Sequence, residues 1–394
     1  MVSVSLPPLS LYVHFPWCVR KCPYCDFNSH TLQGELPEAA YIEALLNDLA
    51  AQLPDAQGRE VGSVFCGGGT PSLFSPDGLA RLLDALKAQL RFAADAEITL
   101  EANPGTIEHG RFSGYRAAGI NRVSLGAQSF ADDSLRRLGR IHAVADTERA
   151  VSELRRAGIE NFNLDLIYAL PHQDLPAAVA DVEAAVRLEP THISHYELTL
   201  EPGTTFAGRP PTGLPDPDTA RDMQLACQAH LAAAGYLQYE VSAYARTGRR
   251  CRHNLNYWDF GDYLGIGAGA HGKCSRIEPG GMRIERSWRE REPRRYLAHA
   301  HLPPSRRTVP PEELPFEYLM NALRLREGFL EREFAQRTGL SSALLRPSLE
   351  HLCTRGLMEH HAERWLASPR GFDFLNDVIA EFLPPPPEAA ARQG

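Results

Sequence analysis

The sequence predicts an α/β fold: a partial, TIM-like (β/α)6 barrel followed by a smaller, mainly helical, winged-helix-like domain. Three observations carry this. Between residue 9 and about residue 200, six apolar β-type runs alternate with helical stretches that have clear start and stop signals. Polar or glycine-rich residues fall at the C-terminal end of each run, the rim where α/β barrels place their chemistry. After residue 202 the alternation gives way to a Pro-rich stretch, then to helices closed by a short hairpin pattern.

The six strands are read at Leu9–Phe15, Val61–Cys66, Glu97–Glu101, Arg122–Leu125, Phe162–Ile167 and His192–Leu198. Helices are expected from Pro37 to Leu53, and from a Ser75 cap, with Pro76 at the first position, to Leu90. Three more run from a Thr106 cap to Gly119, from Asp146 to Ala157 and from Leu175 to Leu188. Residues 208–218 read as a Pro-rich loop, Thr219–Ala234 as a helix, and Tyr236–Ala243 as an edge strand. The Gly-rich segment 261–272 reads as flexible, and the Arg-rich region 283–311 as a surface connector. From Pro315 to about Leu383 the pattern is helical, with a hairpin over 357–367. The division expected is a barrel core at 1–245, a connecting segment at 246–310, a winged-helix-like domain at 311–384 and a disordered tail at 385–394.

Composition narrows the function. The 394 residues are 43% hydrophobic and 23% charged, with a net charge of −8, so no global basic field favours nucleic acid. No apolar run reaches the length of a membrane span, and the first residues lack the pattern of a signal peptide. A cytoplasmic, reducing location is the expectation.

The chemically loaded stretch is Trp17–Phe27, which reads W-C-V-R-K-C-P-Y-C-D-F. Cys18, Cys22 and Cys25 stand in C-x3-C-x2-C spacing just after the first strand. Thiolates so close repel unless a cation binds them. An iron–sulfur cluster is the favoured reading; a structural zinc completed by a distant residue such as His30 is the alternative. Three ligands leave one iron of a cubane open to a small chelating molecule. The other five cysteines are scattered and read as buried or idle thiols. After the second strand, Gly67-Gly68-Gly69-Thr70 lets the backbone approach a ligand closely. Glu101, Gln128, Asp165 and Glu197 follow at or near the ends of strands three to six. Glu101 suits acceptance of hydrogen bonds from ribose hydroxyls, or is simply an exposed strand-end carboxylate.

The cysteine spacing resembles the hallmark of the radical SAM superfamily. That resemblance implies a [4Fe–4S] cluster on Cys18, Cys22 and Cys25, with S-adenosylmethionine (SAM) chelating the fourth iron. Further segments resemble the branch that contains oxygen-independent coproporphyrinogen III dehydrogenase. They are Tyr12-Val13-His14-Phe15-Pro16-Trp17, Glu101-Ala102-Asn103-Pro104-Gly105, Ser124–Phe130, Leu138-Gly139-Arg140-Ile141-His142 and Asn163–Leu166. In that branch, positions matching Tyr12, Gly68, Gly69, Thr70, Glu101, Gln128, Arg140 and Asp165 serve SAM. Tyr24, inside the cysteine loop, is placed with them. Two features depart from the dehydrogenase: Cys25-Asp26-Phe27 lacks its fourth cysteine, and only seventeen residues precede Cys18. Both match the HemW-type heme chaperones, as does His253-Asn254-Leu255-Asn256-Tyr257-Trp258 against their H-N-x-x-Y-W heme motif.

The resemblance thus implies a heme chaperone that binds heme through His253, with Cys251 and His271 as rival ligands. It delivers heme to respiratory membrane proteins, with peripheral membrane association and a homodimer as further options. Coproporphyrinogen III decarboxylation is the alternative, and a zinc-containing DNA regulator, disfavoured by the acidic balance, a third.

Overall fold

The computed structural model describes residues 5–105 and 110–384. The expected Thr106 cap and the expected disordered tail lie outside these residues. Twelve strands form one sheet: β1 (Leu9–Phe15), β2 (Glu60–Gly68), β3 (Arg91–Ala102), β4 (Arg122–Gln128), β5 (Phe162–Tyr168), β6 (His192–Glu197), β7 (Leu237–Gln238), β8 (Ala243–Ala245), β9 (Asp262–Ile266), β10 (His271–Glu278), β11 (Gly281–Trp288) and β12 (Ser305–Thr308). Their spatial order is β12-β11-β10-β9-β1-β2-β3-β4-β5-β6-β8-β7. Strands β1 to β6 run parallel in sequence order, as the strand–helix alternation requires.

The sheet is wider than the six expected strands. β9 pairs in parallel with β1, from Leu9 opposite Asp262 to Val13 opposite Ile266, and β10 to β12 continue it antiparallel. The segment expected to be flexible is therefore a central strand. Its glycines permit close packing: a side chain at Gly265 would collide with the backbone carbonyl of His271. The Arg-rich region is likewise ordered structure, with the strands Gly281–Trp288 and Ser305–Thr308 on either side of the helix Pro293–His299, and part of its charge is paired. Arg276 and Arg306 meet Asp55 and Glu285, and Arg286 meets Glu317.

Helices cover the outer face of the barrel. Glu38–Ala56, Pro76–Gln89, Val144–Arg156, Leu175–Arg187 and Pro217–Ala233 lie within a few residues of the expected limits. Ser75 caps the second through the Gly78 amide. Leu11, Val13, Phe15, Val64, Leu100, Val123, Leu164 and Ile193 belong to the main core. The alternate residues point the other way, as strand geometry demands, and they are polar or aromatic: Ser10, Tyr12 and His14 on β1, and Ser63 and Phe65 on β2.

Residues 314–380 carry five helices and a three-stranded sheet of Phe329–Leu330, Arg364–Ala367 and Met358–His361. Tyr318, Phe334, Leu349, Leu352, Trp365 and Val378 fill its core, joined by Phe260, Ile284 and Val309 from the barrel side. The small domain is thus packed onto the barrel through a shared apolar cluster. Among the described residues no helix is long and apolar enough to cross a membrane.

Candidate functional site

The strand ends converge on one cavity of about 330 Å³ at the C-terminal rim, within the range of small-molecule sites. Cys18, Cys22 and Cys25 line it, with Tyr24, Gly68, Gly69, Thr70, Glu101, Gln128, Arg140 and Asp165. They come from the cysteine loop, from the ends of several strands and, for Arg140, from the turn after the helix Asp132–Arg137, so the topology assembles a site from separate sequence segments.

The cysteine loop is pinned at both ends. His30 N–H donates to Pro16 O at 2.7 Å and Leu32 N–H to Cys18 O at 2.8 Å, while Lys21 Nζ donates to Phe27 O and Ser29 O, both at 3.1 Å. All three thiols are free and half-buried. Burial, above all, holds Cys18 and Cys25 above the ordinary thiol range, against hydrogen bonds from Thr70 to the first and from the Phe27 backbone and Ser29 to the second. Such thiols become thiolates when a cation pays for the charge, so the donor set fits a metal cluster. Among the described residues no three His, Cys, Asp or Glu side chains converge on a single-ion site. His30 hydrogen-bonds with Asn28 Oδ1 at 3.3 Å.

Arg140 ties the loop to the barrel. It donates from Nη1 to Cys22 Sγ at 3.6 Å, and from Nη2 to Gly126 O at 3.0 Å and Asn103 Oδ1 at 2.5 Å. Asn103 Nδ2 in turn donates to Thr70 Oγ1 at 3.0 Å. This chain of bonds runs from one cysteine to another across three strand ends. Asn103 is the residue that sequence reading undervalued; its position two after Glu101 at a loaded strand end was the available signal. Arg20, Ser124 and Tyr196 also line the cavity without having stood out.

The glycine turn is steric. Gly68 has φ of +114° and a side chain there would strike the His14 ring; a Cβ at Gly69 would lie 2.6 Å from Trp17 O and 2.8 Å from Phe15 O. Gly68 N–H donates to Glu101 Oε2 at 3.0 Å. Burial first, then the neighbouring Asp165, pushes the Glu101 carboxyl up to about 7, opposed by the Gly68 amide. Asp165 accepts from Ser124 Oγ at 3.1 Å and Asn163 Nδ2 at 2.8 Å.

Two expected residues lie elsewhere. Tyr12 sits deeper inside the barrel, its ring stacked with Phe65 at 6.4 Å. Its hydroxyl donates to His14 Nδ1 at 2.9 Å, because His14 Nε2–H donates to Asn28 O at 2.9 Å. Burial lowers His14 to about 4, which leaves the ring neutral and able to do both. His253 lies on the barrel floor, in a helix, Arg252–Trp258, rather than a loop. Glu97 Oε1 holds the start of that helix, accepting from the amides of Arg252 at 3.0 Å and His253 at 3.2 Å. The His253 ring is 1% exposed. Its Nδ1 is 3.1 Å from Ser63 Oγ and its Nε2 2.9 Å from Tyr257 Oη. A metal at either nitrogen would have to displace one of these bonds inside a closed interior. Cys251 is buried, its Sγ donating to Glu97 Oε1 at 3.6 Å.

Comparison with known proteins places this architecture. Residues 12–183 match the model of the Radical SAM superfamily, and residues 309–374 that of the HemN C-terminal domain. The heme chaperone HemW of Escherichia coli (strain K12) is 50% identical over 380 residues, covering 96% of this chain and 99% of that protein. The heme chaperone HemW of Haemophilus influenzae is 48% identical over 383 residues, with the same coverage of 96% and 99%. Among solved structures, the E. coli coproporphyrinogen III oxidase HemN, a radical SAM enzyme, superposes with a TM-score of 0.80 at 23% identity, covering 97% of this chain and 91% of that one. At that identity the likeness shows the fold alone. With relatives of this similarity along nearly its whole length, the chain belongs to the heme chaperone HemW family of the radical SAM superfamily.

Proposed function

We propose that this chain is a heme chaperone. It holds a [4Fe–4S] cluster on Cys18, Cys22 and Cys25, binds SAM in the adjoining cavity, and delivers heme to respiratory hemoproteins. The observation that carries the reading is the 50% identity to a heme chaperone over 96% of the chain. The cavity supports it, because it sets three free thiols against a glycine turn and a half-buried carboxyl group. When bound, the cluster supplies an iron open to the amino and carboxylate groups of SAM.

The chain's own residues then divide the work. Arg140 and Tyr24 orient Cys22 and shield its charge. Gly69 leaves room for the methionyl end, and Gly68 fixes Glu101 beside it. Glu101 accepts from the ribose hydroxyls when ionised. Asp165, Gln128 and Thr70 complete the polar wall. Tyr12 supports this wall from beneath, through His14 and the loop residue Asn28.

Anaerobic reconstitution with iron and sulfide, followed by addition of hemin and an apo respiratory hemoprotein, tests the reading. The expected result is one cluster per chain and heme transfer without loss of coproporphyrinogen III. Conversion of coproporphyrinogen III to protoporphyrinogen would overturn it in favour of the dehydrogenase.

A further inference from the structure

The barrel floor leaves His253 no free nitrogen, while another imidazole stands open at the rim. His271 begins β10 and is exposed, and its ring has no hydrogen-bond or ion-pair partner among the described residues. Trp288, 40% exposed, lies directly opposite it on β11. Directly opposed residues of an antiparallel pair share a face of the sheet. The base of this hairpin is joined to the cysteine loop, since Asn28 Nδ2 donates to Ala268 O at 2.9 Å and to Arg291 O at 3.0 Å. Beside Asn28, Phe27 is 58% exposed and also lines the cavity. Arg291 is exposed and has no side-chain partner among the described residues.

An open imidazole, an indole on the same face, a neighbouring exposed phenyl ring and an unpaired guanidinium meet the separate needs of one ligand. A flat macrocycle takes the aromatic faces, its iron takes the imidazole, and its carboxylates take the guanidinium. We propose that this rim, with His271 as axial ligand, Trp288 and Phe27 as apolar faces and Arg291 as carboxylate partner, is the heme site. The assignment rests on the heme-carrying reading above and moves the ligand from the floor to the rim, beside the cluster loop. Burial first, then Arg291 and Arg286, lowers the His271 pKa, which keeps the ring in its neutral, iron-ligating form. The link through Asn28 then gives the cluster loop a direct mechanical hold on the heme face.

The test is titration of the full-length chain with hemin and with metal-free protoporphyrin IX, followed by absorbance. His271→Ala should weaken hemin binding by roughly tenfold or more, the scale of losing support for a metal ligand, and shift the Soret band. Added imidazole should restore the band. Protoporphyrin IX, which has no iron, should bind His271→Ala as it binds wild type, and Trp288→Ala and Arg291→Ala more weakly. His253→Gln should keep the wild-type hemin spectrum. Hemin binding to His271→Ala with wild-type affinity and spectrum would overturn the assignment while leaving the chaperone reading intact. Failure of wild type to bind hemin would overturn the chaperone reading itself.

Discussion

Glu101→Gln isolates the cost of a carboxylate in the cavity. Glutamine keeps the shape and can still accept from the Gly68 amide, so the substitution removes charge with little change in packing. Displacement of the carboxyl from an ordinary 4.5 to about 7 penalises the ionised form by about 3 kcal/mol, at about 1.36 kcal/mol per pH unit. The side chain is partly open to the cavity, so water screening trims this to about 2 kcal/mol. The sign follows from proton counting. Between pH 4.5 and 7 the unfolded chain has released this proton and the folded chain retains it, so stability falls as pH rises across that window and stays lowered above it. Glu101→Gln should therefore raise Tm by a few degrees at pH 8 and recover little at pH 5. Thermal unfolding of the apo protein at both pH values decides it. A gain of equal size at both, or a loss at pH 8, would refute the reasoning. The ribose role predicts the opposite cost in ligand: SAM binding to the reconstituted protein should weaken in Glu101→Gln, and in wild type should weaken as pH falls below 7.

Gly69→Ala should cost about 1–3 kcal/mol in urea unfolding, because its Cβ meets two backbone carbonyls that cannot turn aside; a change below measurement error would show that the turn relaxes. Arg140→Lys keeps the charge but loses the fork that reaches Cys22 through Nη1 and Asn103 and Gly126 through Nη2. It should destabilise by about 1.5–3 kcal/mol and lower the iron retained after desalting. Lys273 lies buried 2.9 Å from Asp262, so Lys273→Met should cost about 3–5 kcal/mol. Adding Asp262→Asn should change that loss by less than the two single effects summed, and strict additivity would argue against a coupled pair.

The barrel half of the fold was legible because strands such as Leu9–Phe15, whose core-facing residues are apolar, alternate with helices that carry caps such as Ser75. The site was legible for the same reason: chemistry at strand ends can be located without knowing the strand order. What failed to show was pairing across long separations. Tyr263-Leu264-Gly265-Ile266 is a good strand only beside Leu9–Val13, and its flanking glycines look flexible until that neighbour is present. Arg286 and Arg306 read as surface until their acids, Glu317 for the first and Asp55 with Glu285 for the second, are known to face them. The His253 segment is ambiguous in a different way. Its polar and aromatic residues suit a ligand site and a barrel floor equally well. Only the positions of Ser63, Glu97 and Tyr257 separate the two.

The pairing of Leu9 with Asp262 also sets a schedule for synthesis. Counting residues between them, 262 − 9, about 250 amino acids are added after the first strand before its second neighbour exists. At typical elongation rates this interval lasts on the order of ten to fifty seconds. Throughout it, β1 can pair with β2 on one side only, and its other edge offers a row of unpaired amides and carbonyls beside Leu11 and Val13. The cysteine loop hangs from the end of that half-finished strand. Asn28 cannot make its bonds to Ala268 and Arg291 until those residues have also emerged. The nascent chain therefore carries the cysteine loop, held by its local bonds but not by the later hairpin, on an open sheet edge for most of its translation. Overproduction without chaperone capacity should therefore yield edge-paired aggregates.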